Sequence, residues 1–294
     1  MFPVILRVIV LMLATLVCSA AEVKKDIQYG KVGYVPLLMD AYIVDGQGPF
    51  PTIVYVHGGG FVAGDKKSLP KPLFDLLQSA GFNWFSVNYR LAPKYPFPAE
   101  TDDVDQAIGY IKAHAREYKV DTRRMVLMGG SAGGHLVSFV GAKHKPGNRV
   151  AAVVSFYGEH DLVSRTKPTT DCIVDGRVDH SETPEPCLSP GLKAFLGVSD
   201  LSPAAAKIIR EASPVTYVKK DMPPYLLVHG DKDLNVPYEQ SVLMCKAMKK
   251  VGAQCEIYTV KGGGHGGWDK DPQMSQYQQA VLEWLKKTVQ MQGG

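Results

Sequence analysis

From Pro51 onward, short runs of apolar, β-branched and aromatic residues alternate with longer stretches of helical periodicity. The runs at 52–56, 83–88, 125–128, 150–156, 225–228 and 255–259 are almost continuously apolar, as strands covered on both faces must be. Between them, 69–80, 101–118, 132–142, 238–251 and 274–291 carry one apolar stripe each, which predicts helices laid against a sheet. Such alternation predicts βαβ units and an α/β chain with a largely parallel sheet. Two earlier runs, 26–30 and 36–44, read as an antiparallel start to that sheet. The stretch 159–214 breaks the rhythm. It is rich in Pro, Ser, Thr and Asp, and holds only a short helical pattern around 201–211. We read it as a lid inserted over the carboxyl edge of the sheet, with a long surface loop of no chemical role as the alternative.

Composition narrows this picture. A chain of 294 residues, 45% of them apolar and without an abrupt shift in make-up, predicts one large domain over 22–294. The net charge of +4 is small, and Lys and Arg are interspersed with Asp and Glu, which excludes a nucleic-acid partner. At the start, Arg7 precedes an apolar run over 8–17 and the small residues Ser19, Ala20 and Ala21, the pattern of a secretory signal over 1–21. That run is short of the roughly 20 residues a spanning helix needs, so the expected product is secreted or periplasmic, without stable membrane insertion. Cleavage would remove Cys18 and leave Cys172, Cys187, Cys245 and Cys255. Pairs Cys172 with Cys187 and Cys245 with Cys255 are preferred because each closes a short loop; four free buried thiols are the alternative. No CxxC or HxxxH spacing accompanies them, so neither a metal nor an organic cofactor is expected.

Chemistry enters at 125–134, where the predicted strand runs into Gly129-Gly130-Ser131-Ala132-Gly133 and then into a predicted helix. GxSxG at a strand-to-helix turn exposes the Ser hydroxyl at the sheet's carboxyl edge, and the glycines let neighbouring segments close in. Ser131 is therefore the candidate nucleophile. Upstream, the strand at 52–56 leads into His57-Gly58-Gly59-Gly60-Phe61, whose glycines permit successive N–H groups to turn toward one point. With the N–H of Ala132, they could hold an oxyanion. His57 itself reads as a brace for that loop. His265, flanked by glycines in Gly262-Gly263-Gly264-His265-Gly266-Gly267, is the candidate general base. For the carboxylate that orients it, the residues leave Asp231 and Asp233, just past the strand at 225–228, and Asp161, past the strand at 150–156. The remaining histidines read as scaffold (His135, His229) or as solvated (His114, His144, His160, His180), and the tryptophans Trp84, Trp268 and Trp284 as packing. Trp268 alone is placed to line an acyl or alcohol pocket.

Taken together, His57-Gly58-Gly59-Gly60-Phe61, Asn88-Tyr89-Arg90-Leu91-Ala92-Pro93, Gly130-Ser131-Ala132-Gly133-Gly134-His135 and His229-Gly230-Asp231-Lys232-Asp233 resemble the motifs of α/β-hydrolase fold esterases. The closer match is the branch that includes bacterial feruloyl and acetyl esterases, related to the hormone-sensitive lipase group. The resemblance implies an eight-stranded, mostly parallel sheet, a catalytic set of Ser131, Asp233 and His265, and an oxyanion hole from Gly59, Gly60 and Ala132. Two departures stand out. Gly130 occupies a position where relatives in the hormone-sensitive lipase group usually carry Asp, and the insertion follows Phe156 where those relatives build a cap from N-terminal helices. The expected activity is that of a secreted serine carboxylesterase on short-chain acyl, acetyl or feruloyl esters, free or polysaccharide-linked. A serine peptidase or formamidase on the same fold, or a non-catalytic binding protein, is the alternative.

Overall fold

Residues 21–290 are described by a computed structural model, so the expected secretory signal, all but its last residue, lies outside the described residues. Strands β1 (Glu22–Val32) and β2 (Val35–Ile43) form an antiparallel pair at one edge. The chain continues through β3 (Phe50–Val56), α1 (Lys71–Ser79), β4 (Asn83–Val87), α2 (Ala99–Ala113), β5 (Val120–Gly130), α3 (Ala132–Ala142) and β6 (Ala152–Phe156). An insertion follows, with a hairpin of β7 (Thr169–Val174) and β8 (Arg177–Glu185), then α4 (Pro190–Leu196) and α5 (Pro203–Ala212). The sheet resumes at β9 (Tyr225–Gly230), α6 (Glu239–Lys250), β10 (Cys255–Val260) and α7 (Tyr277–Gln290). Its eight strands lie in the order β1-β2-β4-β3-β5-β6-β9-β10, parallel from β4 to β10. This is the mostly parallel, eight-stranded sheet expected.

The pleat sorts each continuously apolar strand into two cores. Val54, Val56, Leu127, Val153 and Leu227 face the layer of α2, α3 and α6, while Ile53, Tyr55, Met128, Val154 and Val228 face α1 and α7. Full cover on both sides explains why these strands lack polar alternation. It also leaves only the strand ends free to carry chemistry, and β3, β5, β6, β9 and β10 all end at the same edge.

The insertion departs most from expectation. The hairpin β7–β8 is mostly exposed and polar, so it leaves no apolar alternation to read; its register and the disulfide Cys172–Cys187 hold it. The second disulfide joins Cys245 on α6 to Cys255 on β10. Helix α4 has only seven residues, too few for a periodic stripe, yet its ends are marked by the Ser189 hydroxyl accepting from Leu192 N–H and by Gly197 in the left-handed region at φ 65°. Helix α2 stops at Ala113, five residues before the expected end, because the chain turns through His114 to reach β5, with Lys119 at φ 53°. His160, expected in solvent, is fully buried. No helix of the described residues is long and apolar enough to cross a membrane.

Candidate active site

The site is built from the ends of β3, β5, β9 and β10. At the end of β5, Ser131 adopts φ 56° and ψ −121°, a conformation that a non-glycine residue holds only under constraint. Here the constraint is backbone: Ser131 N–H donates to Phe156 O at 2.9 Å, and its carbonyl accepts from His135 N–H in the first turn of α3. The turn is tight enough that a Cβ on Gly133 would stand 2.1 Å from Val56 O and 2.6 Å from His57 O. Gly133→Ala is accordingly expected to force β3 and α3 apart and to cost about 3 kcal/mol of stability, measured by thermal or denaturant unfolding.

Past the end of β10, His265 turns back over this residue. Ser131 Oγ–H donates to His265 Nε2 at 2.9 Å, and His265 Nδ1–H donates to Asp233 Oδ2 at 2.7 Å. Asp233 is 4% exposed, and its other oxygen accepts from the N–H groups of Asn235 at 2.8 Å and Val236 at 2.9 Å. Burial pushes its carboxyl toward protonation, but hydrogen bonds from His229 and His265, with the His265 charge and the Val236 N–H, outweigh burial and hold it well below the usual carboxylate range. The other two candidates are engaged elsewhere. Asp231 accepts from Gly262 N–H at 2.7 Å and pairs with Lys261, and Asp161 accepts from Ser164 N–H at 3.1 Å.

His229 carries more than packing. Its Nδ1 accepts from Ser241 Oγ–H at 2.8 Å, which directs the Nε2 hydrogen to Asp233 Oδ2 at 3.2 Å and Val236 O at 3.1 Å. Asp233 Oδ2 thus receives two imidazoles at once. The only sequence signal for this was the position of His229 at a strand end four residues before Asp233. His135, also read as scaffold, is fully buried and donates its Nδ1–H to Glu159 O at 2.9 Å.

Beyond β3, Gly59 at φ 117° and Gly60 at φ 59° take paths open to glycine, and the turn is closed by Val62 and Ala63 N–H donating to Gly59 O. Among the described residues, none accepts a hydrogen bond from the backbone N–H of Gly59 or Gly60. His57 braces the loop, as its sequence position predicts: it stacks on Tyr89 at 4.4 Å and donates Nδ1–H to Gly58 O at 2.7 Å. Gly59, Gly60, Ser131, Ala132 and His265 together face a cavity of about 530 Å³. Its far wall comes from Tyr157 and Glu159 after β6, Asn235 and Val236 after β9, and Asp175, Ser189 and Leu192 of the insertion. Trp268 is outside that wall. It is buried, donates Nε1–H to Gly264 O at 3.1 Å beneath the His265 loop, and lines a second cavity of about 350 Å³ on the other side of Tyr157. Among the described residues, no group of three or more His, Cys, Asp or Glu side chains is arranged to hold a metal ion.

A strained Ser at a strand-to-helix turn, joined through an imidazole to a buried carboxylate and faced by free backbone donors, is equipped for acyl transfer. Comparison with known proteins agrees with that chemistry. A family model described as BD-FAE matches residues 39–248. The chain is 30% identical over 246 residues to LipM of Mycobacterium tuberculosis, a probable carboxylic ester hydrolase, over 79% of this chain and 53% of that protein. It is 29% identical over 232 residues to the esterase LipC of the same organism, over 74% of this chain and 53% of that one. The chain therefore spans about half the length of these curated relatives. Among solved structures it superposes on an acetyl ester-xyloside bifunctional hydrolase from Caldicellulosiruptor lactoaceticus with a TM-score of 0.73 at 25% identity, covering 89% of this chain and 95% of the other. A truncated carbohydrate esterase from gut microbiota gives a TM-score of 0.74 at 23% identity, over 92% and 96% of the two chains. The shared architecture is the α/β-hydrolase fold.

Proposed function

The chain belongs to the BD-FAE family, and from that premise we propose that it is a carboxylic ester hydrolase acting through Ser131, His265 and Asp233. The observation that carries this reading is the unbroken hydrogen-bonded line of 2.7 Å and 2.9 Å from Asp233 through His265 to Ser131, ending in an open cavity. Ser131 Oγ adds to the ester carbonyl carbon while its proton passes to His265 Nε2. The carbonyl electron pair moves onto oxygen, where the N–H groups of Gly59, Gly60 and Ala132 and the N-terminal end of α3 stabilise it. Asp233 keeps the imidazole in the tautomer that can accept at Nε2, and steadies the imidazolium that forms. Collapse expels the alcohol, which takes the proton from His265, and leaves the acyl group on Ser131. Water repeats the sequence and releases the acid.

The substrates we assign are short-chain acyl, acetyl or feruloyl esters, including those carried on polysaccharide. The likeness to an acetyl ester-xyloside hydrolase supports this, as does a cavity walled by several polar groups. Export through a signal at 1–21 belongs to the same reading and is supported by the two disulfides. So does a lid role for the insertion at about 159–214, which supplies Asp175, Ser189 and Leu192 to the cavity wall. Initial rates over 4-nitrophenyl esters of increasing acyl length, with methyl ferulate and acetylated xylan, test the assignment. Highest kcat/KM at short acyl chains is expected. Turnover of peptide or formamide bonds without turnover of any ester would overturn it in favour of an amide-cleaving enzyme, and no turnover at all in favour of a binding protein.

A further inference from the structure

The loop that carries His265 is glycine at 262, 263, 264, 266 and 267, and a backbone so free does not orient an imidazole by itself. Asp233 holds the ring at Nδ1, which leaves it able to swing about that one bond. A second contact comes from Tyr157, at the end of β6, which has no part in the acyl-transfer steps. Its ring centroid lies 4.6 Å from that of the His265 imidazole, and Trp268 packs edge-on against it at 5.2 Å. The tip of the ring is wedged between the chain neighbours of the nucleophile and the base. A Cβ on Gly130 would stand 3.0 Å from Tyr157 Oη and 3.4 Å from Cε2, and a Cβ on Gly266 would stand 3.0 Å from Oη and 3.4 Å from Cε1. One edge of the ring therefore rests on the residue before Ser131, and the other on the residue after His265.

We propose that Tyr157 is a positioning residue: its ring is a strut between the nucleophile turn and the base loop, and it holds the His265 imidazole at hydrogen-bonding distance from Ser131. This rests on the ester-hydrolase reading above. The strut is fixed from behind. Tyr157 N–H donates to Val228 O at 2.8 Å, and its backbone sits at φ 41°, a region that a bulky residue enters only when its surroundings impose it. Its Oη–H, by contrast, has no hydrogen-bond partner among the described residues. Burial, with the negative charges of Asp233 and Asp269 nearby, pushes the phenol up to about 12, so it is uncharged at neutral pH. The ring thus acts by its shape. The same geometry gives a reason for Gly130, at the position where relatives in the hormone-sensitive lipase group usually carry Asp: a side chain there would press on the phenol.

The test separates kcat from KM on 4-nitrophenyl acetate and 4-nitrophenyl butyrate. Tyr157→Leu is expected to lower kcat by about thirtyfold on both esters with KM held within about twofold, and Tyr157→Phe, which keeps the ring, recovers most of the loss. Gly130→Ala, whose methyl group presses on Oη, is expected to lower kcat by about threefold, and adding Tyr157→Phe, which removes Oη, restores it. A loss in Tyr157→Leu that falls on KM alone, an equal loss in Tyr157→Phe, or a double variant no faster than Gly130→Ala overturns the proposal. Should Tyr157→Leu fail to fold, the Gly130→Ala pair decides alone. If the wild type hydrolyses no ester faster than Ser131→Ala, the hydrolase reading falls separately. A crystal structure of Tyr157→Leu, or of Gly130→Ala in its place, then decides: an imidazole turned away from Ser131 Oγ upholds the strut, and an unchanged contact of 2.9 Å overturns it.

Discussion

Ser131→Ala is expected to lower kcat on 4-nitrophenyl acetate by about 10⁵-fold or more, leaving a folded protein whose residual rate comes from the backbone donors around the cavity alone. The size of the loss follows from how the parts depend on one another. His265 Nε2 stands 2.9 Å from Ser131 Oγ and has no other hydrogen-bond partner among the described residues, so without the hydroxyl the base has no proton to take. Adding His265→Ala to Ser131→Ala should therefore cost little further, because the two residues act as a unit. The folded state should survive, since the Ser131 side chain is half-buried at the cavity floor and its backbone is fixed by the bonds to Phe156 and His135. Steady-state kinetics with a thermal-unfolding control reads both. A variant retaining more than about one hundredth of the wild-type kcat would rule out Ser131 as nucleophile.

Asp233→Asn is expected to lower kcat by about 10⁴-fold. An amide is uncharged, and if its NH₂ group faces the imidazole, the ring must turn or change tautomer and Nε2 no longer accepts from Ser131. The effect is sharpened here because both carboxylate oxygens only accept, Oδ2 from His265 and His229 and Oδ1 from the N–H groups of Asn235 and Val236, so an NH₂ group in either place meets donors and loses those bonds. Asp231→Asn and Asp161→Asn supply the comparison: their carboxylates hold the loop at Gly262 and the turn at Ser164, and each change should cost less than about tenfold. A larger loss from either than from Asp233→Asn would move the role to that residue. Acid dependence carries the same logic. A carboxyl whose folded-state affinity for protons is depressed contributes stability that is present above its unfolded pKa of about 4 and is lost only as pH falls below that value. Asp233 is such a group, so it should remain ionised through the weakly acidic range, and an acid limb of the rate profile above about pH 4 should belong to a group other than Asp233.

How far the chain could be read without its structure depended on distance along it. The parallel strands are legible because burial on both faces removes polar residues from runs such as Ile53-Val54-Tyr55-Val56. The strained turn at Ser131 is legible because strand, glycines and helix needed to make it are contiguous in ten residues. The hairpin β7–β8 was not, since an exposed polar ribbon has no buried face to impose a period, and α4 is shorter than two full turns of periodic evidence require. His160 misled for a related reason: polar neighbours in sequence say nothing of what buries it in space, where its N–H donates to Gln240 of α6, 80 positions away.

Sequence by itself therefore determined the α/β class, the order of the main sheet's strands along the chain, the strand-turn-helix around Ser131 and the two glycine loops, all of them local or periodic features. Tertiary structure supplies what the residues themselves left open: of three chemically equal aspartates it is Asp233, the one the resemblance implied, that meets His265, His229 shares that carboxylate, and Glu159 lines the cavity that Ser131 faces. The two contacts at Asp233 join residues 32 and 4 positions apart, are set by where strands end and loops cross, and residue type carries no record of them.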